Sequence, residues 1–176
     1  QTAATASQLN TINAATATAV NLTHVTGLAA SSLSDLGTLA TAIDAGEFSN
    51  ASGLTAIAVS DTTVDATTLA TRIDDFDAIN VGATTDMTLA AGATVNVDAD
   101  EITHMLADRT GGRLSIDDQK ITVNAADTIS VDTANDLSSI TTGVLTATIT
   151  TTETVGELAT LSADGGNNCL LYTSPS

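Results

Sequence analysis

The chain repeats itself, and that repetition limits the folds open to it more than any other feature. Val64-Asp65-Ala-Thr-Thr-Leu69, Val97-Asp98-Ala-Asp-Glu-Ile102 and Val131-Asp132-Thr-Ala-Asn-Asp-Leu137 share a Val-Asp step with an apolar residue four or five positions on. Asp65, Asp98 and Asp132 stand 33 and 34 residues apart, and from Asp132 to Glu153 the step shrinks to 21. A second echo links the two ends. Ala6-Ser-Gln-Leu9-Asn-Thr-Ile12 matches Ala134-Asn-Asp-Leu137-Ser-Ser-Ile140, and each is followed by an alternating Thr/Ala-rich run.

Within one unit the periodicity changes. Asp65, Asp98 and Asp132 sit where a short carboxylate accepts the unpaired amides of a helix's first turn. Asp98 with Glu101, and Thr154 with Glu157, have the capping-box spacing. Apolar residues then follow at helical steps: Leu69 and Ile73; Ile102, Met105 and Leu106; Leu137 and Ile140; Leu158 and Leu161. Helices of two or three turns are too short to persist alone in water, so they must dock. Alternation at Ile79/Val81, Met87/Leu89, Val95/Val97, Leu114/Ile116, Ile121/Val123, Ile129/Val131 and Leu145/Ala147/Ile149 predicts strands. The expectation is a repeat protein, a β-solenoid or α/β solenoid with two or three short strands and one short helix per unit of about 20–34 residues. The units fall roughly at 6–30, 31–64, 65–97, 98–131, 132–152 and 153–168. Together they make a single array over 1–168 in which neighbouring repeats of the same chain are each unit's partners.

Composition agrees with a thin interior. The 176 residues include 34 Thr and 30 Ala, no Trp, and only Phe48, Phe76 and Tyr172 as aromatics. Compact globules draw much of their buried area from aromatic rings. Acidic residues number 21 against Arg72, Arg109, Arg113 and Lys120, a net charge of −17. Such a surface repels phosphates, which excludes nucleic acid as a partner. No apolar run is long enough to span a bilayer, so membrane insertion is not expected.

The stretch from Asp127 to Ile149, Asp-Thr-Ile-Ser-Val-Asp-Thr-Ala-Asn-Asp-Leu-Ser-Ser-Ile-Thr-Thr-Gly-Val-Leu-Thr-Ala-Thr-Ile, resembles repeats in giant, acidic, Thr/Ala-rich surface proteins of cyanobacteria and other aquatic bacteria. The likeness is good over 127–161, partial over 54–126 and weak before that. Those proteins often carry haemolysin-type calcium repeats elsewhere. The resemblance implies a large secreted or surface-attached protein, and it carries no functional residue over to this chain. The last eight residues, Cys169-Leu-Leu-Tyr-Thr-Ser-Pro-Ser176, resemble the read-through translation of a transposase sequencing adapter. On that reading residues 169–176 are a non-native tail, and the chain beginning at Gln1 is a metagenomic fragment. Without the tail there is no Cys, which fits an extracellular protein.

Calcium is the cation the acidic clusters suit best, because it takes six to eight hard oxygen ligands. The candidate ligands are Asp74, Asp75 and Asp77, with Asp98, Asp100 and Glu101. EF-hand spacing is absent, and the nearest approach to a calcium nonapeptide is Asp164-Gly-Gly-Asn-Asn168. His104 follows Glu101 by three residues, as in carboxylate-bridged metal sites, but such sites need the pattern twice. No Gly-x-Ser-x-Gly motif and no Lys-bearing phosphate loop occurs, so no catalytic residue and no organic cofactor is expected. The expected role is a non-enzymatic structural or adhesive segment of a large extracellular bacterial protein. The alternatives are a Ca2+-stabilised module of a secreted toxin or adhesin and a trimeric phage fibre. The adhesion target is not readable from the residues.

Overall fold

The computed structural model describes residues 3–81, 83–162 and the backbone of 169–172. Its elements are α1 (Ala6–Ala14), β1 (Val20–Asn21), β2 (Gly27–Ser31), α2 (Leu33–Asp44), β3 (Phe48–Ser49), β4 (Ala56–Val59), β5 (Thr63–Asp65), α3 (Ala66–Ile79), β6 (Asp86–Thr88), β7 (Thr94–Val97), α4 (Ile102–Thr110), β8 (Leu114–Ser115), β9 (Lys120–Val123), α5 (Val131–Ile140), β10 (Leu145–Ile149), α6 (Val155–Leu158) and β11 (Cys169–Tyr172).

Most of the helices start where the sequence supplies an oxygen. Thr5 and Thr154 form full capping boxes with Gln8 and Glu157, while Ser32, Asp65 and Ser130 accept from the amide three residues on. Two expected caps do not form. Asp132 lies inside the first turn of α5 because Ser130 takes the cap. Asp98 lies outside α4, which begins after Glu101 without a side-chain cap, and its carboxylate accepts from Asn124 instead.

Every strand pair is parallel, with partners 24 to 31 residues apart, except that β11 pairs with β10 at a shorter step. Parallel neighbours cannot be joined by a hairpin, so the chain returns through helices or long turns. The strands divide into a two-stranded sheet (β1-β3), a four-stranded sheet (β2-β4-β6-β8) and a five-stranded sheet (β11-β10-β9-β7-β5). Helices α1 to α5 pack against one another in chain order.

This overturns the solenoid expectation. The described residues form one α/β domain with three small parallel sheets and six helices, not a uniform coil of thin turns. The physical reason lies in the helices. The segments 33–44 and 66–79 carry apolar residues at helical spacing over three or more turns, so α2 and α3 reach 12 and 14 residues and form a layer of their own. Their side chains Leu36, Leu39, Ile73 and Phe76 are fully buried and join residues from the sheets in one continuous core. Both phenylalanines are buried, so the interior is not built from small residues alone. Two expected strands also fail. Ile79 ends α3 and Val81 is 89% exposed, while Val131 starts α5 and Ile129 makes only an isolated bridge to Ile149.

Candidate functional site

The densest group of ionisable side chains lies where α3, α4 and β8 meet. On α4, Ile102, Met105 and Asp108 follow at three-residue steps, so Asp108 shares the inward face of the two apolar residues and is only 1% exposed. A buried carboxylate needs a partner. Arg113, just before β8, supplies it: Nε donates to Asp108 Oδ1 at 3.0 Å and Nη2 donates to the same oxygen. Nη1 reaches Asp77 Oδ2 at 2.8 Å, and Nη2 lies 3.5 Å from Asp74 Oδ1. The other Asp77 oxygen accepts the Thr85 N–H at 3.1 Å. The hydrogen bond to Asp108 raises the Arg113 pKa above its ordinary value, against partial desolvation and with help from the charges of Asp108 and Asp77. The backbone is tied in too, since the Arg113 N–H donates to the Asp108 carbonyl and the Met87 N–H to the Arg113 carbonyl, both at 2.9 Å.

His104 stands beside this group without joining it. Its Nδ1 is 3.9 Å from Glu101 and its Nε2 is 3.8 Å from Asp108 Oδ2, beyond hydrogen-bonding reach. A guanidinium gives up no proton at working pH, so the cluster is an ionic clamp between two helices and a strand, not an acid–base pair.

The sequence-derived calcium ligands do not converge. Successive residues on a helix point about 100° apart. Asp74 and Asp77 therefore turn toward Arg113 while Asp75 pairs with Arg72 on α3 itself. Asp98 accepts from Asn124 Nδ2 at 3.0 Å, Asp100 is exposed in the turn before α4, and Glu101 faces His104. Among the described residues no group of three or more His, Cys, Asp and Glu is placed to hold a metal ion. Asp164 to Asn168 lies outside the described residues, as do side chains of the Cys169–Ser176 tail.

The carboxylates instead serve the contacts between successive βα segments. The first N–H of α2, on Leu33, donates to Asp61 Oδ2 at 2.7 Å. That of α5, on Val131, donates to Glu153 Oε1 at 3.0 Å. Before α4, the Ala99 N–H donates to Asp127 Oδ2 at 3.0 Å, and in α1 the Ala6 N–H donates to Ser31 Oγ at 2.9 Å. In each case the acceptor belongs to the following segment. Negative charge at a helix N-terminus is also favoured by the helix dipole. Further links repeat the pattern, with Ser115 Oγ donating to Asp86 Oδ1 and the Gly92 N–H to Asp118 Oδ1.

Sequence reasoning missed this role, although a signal existed. Ser31, Asp61, Asp127 and Glu153 each precede a capping residue (Ser32, Asp65, Ser130, Thr154) by one to four positions. Asp108 was legible as well, as the one acidic residue in phase with Ile102 and Met105.

A cleft of about 810 Å³ opens between the C-terminal halves of α2 and α3. Ile43, Phe48 and Ile79 contribute its apolar wall, and Asp44 and Asp75 its charge. Thr41, Asn50 and Ser52 add uncharged polar groups to its described lining. No protein family model, no curated protein and no solved structure matches the chain. Among the described residues no helix is long and apolar enough to cross a membrane.

Proposed function

We propose that this chain is a non-enzymatic structural or adhesive segment of a large extracellular bacterial protein, located outside the cell or at its surface. The observation that carries the reading is the commitment of acidic and amide side chains to hydrogen bonds between successive βα segments. Groups that an enzyme would present to a substrate are here spent on joining one segment to the next. Segments linked in sequence order by parallel strands and side-chain caps suit a part that transmits load along its length. The residual negative charge keeps neighbouring molecules apart.

Single-molecule pulling on the full chain between its two ends tests the proposal. A load-bearing segment gives a reproducible unfolding step and refolds when relaxed. A chain that extends without a measurable step is not one.

A further inference from the structure

The ionic clamp leaves one of its own oxygens unused. Arg113 donates twice to Asp108 Oδ1, while Oδ2 is shielded from solvent and accepts no hydrogen bond among the described residues. A buried acceptor without a donor is costly, and more so when it carries charge. One ionisable nitrogen from outside the clamp stands close to it: His104 Nε2, at 3.8 Å. The other ring nitrogen, Nδ1, is 3.9 Å from Glu101 Oε2. Glu101 lies three residues before His104 and Asp108 four after, so all three share one helix face. The imidazole stands between two carboxylates and is bonded to neither.

The charge on the ring decides what those gaps become. A neutral imidazole has one N–H and one bare nitrogen, whereas an imidazolium has two donors. Only the charged ring can donate to both neighbours at once. Asp108 cannot move to meet it: Arg113 holds Oδ1, the Arg113 N–H donates to the Asp108 carbonyl, and the side chain is 1% exposed. The side chains of His104 and Glu101 are 41% and 26% exposed and are the ones free to shift. A swing of His104 by about 1 Å brings Nε2 within ordinary hydrogen-bonding distance of Asp108 Oδ2.

The surrounding charges are arranged for a second cation. Helix α4 packs against α3, α5 and β8. From α3 come Asp74 and Asp77, which share the Arg113 guanidinium with Asp108, and the pair Arg72–Asp75. On α5, Asp132 and Asp136 are exposed, and on α4 itself Arg109 lies 4.0 Å from Asp117. Among the described residues only Glu101 and Asp108 bring a carboxylate within 4.0 Å of a His104 nitrogen.

We propose that His104 is a proton-operated latch on the Arg113–Asp108 clamp. On taking a proton from solvent the ring closes onto Asp108 Oδ2, with Glu101 following, and on losing it the ring stands clear. A contact made only by the charged ring adds stability that is present at low pH and is lost as pH rises through the titration of His104. The rival donor to Oδ2 is water. A cavity of about 10 Å³, walled by Asp108, Glu101 and apolar side chains of α3 such as Leu69 and Ile73, has room for one molecule. Water donates at every pH, and that separates the two.

Urea denaturation of the full chain and of His104→Gln, at about pH 8 and about pH 5.5, tests the latch on either side of the ordinary histidine range. Every other titrating group is common to both chains and cancels in the comparison. The folding constant of the parent relative to the variant is expected to rise about tenfold from the higher pH to the lower, as one hydrogen bond between charged groups would give. Glu101→Gln, which keeps Asp108, is expected to retain most of that rise. A ratio that does not change with pH overturns the proposal and leaves Oδ2 to water. A rise abolished by Glu101→Gln overturns it too, since the partner is then the more exposed carboxylate and not the buried one. In the parent alone, the Nε2–H of His104 is expected to exchange slowly at the lower pH, and free exchange there overturns the latch without recourse to a variant.

Discussion

Gly143 occupies a place that no side chain can share. A Cβ there would lie 2.2 Å from the carbonyl oxygen of Gln119 and 2.6 Å from its carbon, both backbone atoms that cannot swing away. The turn before β10 therefore rests directly on the turn before β9, and Thr141 Oγ1 fixes the approach by donating to the same Gln119 oxygen. Gly143→Ala is expected to cost at least about 2 kcal/mol in urea denaturation, since overpacking a rigid contact forces the backbone apart. At the ionic clamp, Arg113→Met would leave Asp108 1% exposed and without its guanidinium partner. Removing one partner of a fully buried pair costs about 3–5 kcal/mol, and the partial exposure of Arg113 puts the expected loss near the lower end. The same denaturation measurement checks it. Glu157 gives a prediction against pH. Hydrogen bonding of its carboxylate to Thr154, by backbone and side chain, holds its pKa below the ordinary 4.5. A depressed carboxylate adds stability that is present above its unfolded-state value and is lost as pH falls through the lower folded-state value. The carboxyl of Glu157, followed by NMR, should therefore titrate below the ordinary glutamate value. Fraying of α6 should follow that protonation as pH falls.

Helices and strands were unequally legible. α3 could be read from Asp65, Leu69 and Ile73, and α6 from its Thr154–Glu157 box, because both signals are local and each cap bonds an amide three residues away. β7, β9 and β10 could be read because one face of each is buried and the other is not, which leaves period-two alternation. α4 was legible as a helix but not in its cap, since the acceptor nearest its start, Asp127, lies 28 residues downstream of the amide it serves. No local pattern encodes a partner that the fold brings from the next segment. α2 was not read from the sequence at all, although its run Leu33, Leu36, Leu39, Ala40 is helical in spacing. At Gly37 a Cβ would stand 2.8 Å from Arg72 Nη1, the movable end of a side chain that crosses α2 from the neighbouring helix. At this scale Asp61→Ala, which strips the first amide of α2 of its acceptor, is expected to cost about 1 kcal/mol, as loss of a capping side chain does. Amide exchange at Leu33 should rise by the matching factor.

For the whole molecule two kinds of electrostatic energy compete. The excess of negative charge pushes the compact state apart, while particular carboxylates hold segment to segment. Screening acts mainly on the first, so the thermal midpoint is expected to rise with added sodium chloride. Calcium is expected to do no more than an equal concentration of magnesium, because the clustered aspartates turn to Arg72 and Arg113 and do not converge on one another. Paired melts in the two salts, with an EDTA reference, read the difference directly. The candidate calcium ligands looked plausible in sequence because adjacency along the chain was taken for adjacency in space, and on a helix those differ. The most direct test of the central claim, that acidic side chains join successive segments, is the unfolding free energy of the triple variant Asp61→Ala, Asp127→Ala, Glu153→Ala. Were these three merely solvated surface charges in so acidic a chain, removing them would stabilise it by relieving repulsion. The account predicts the opposite sign, a loss of about 3 kcal/mol from three lost caps, and a variant as stable as the parent or more so would contradict it.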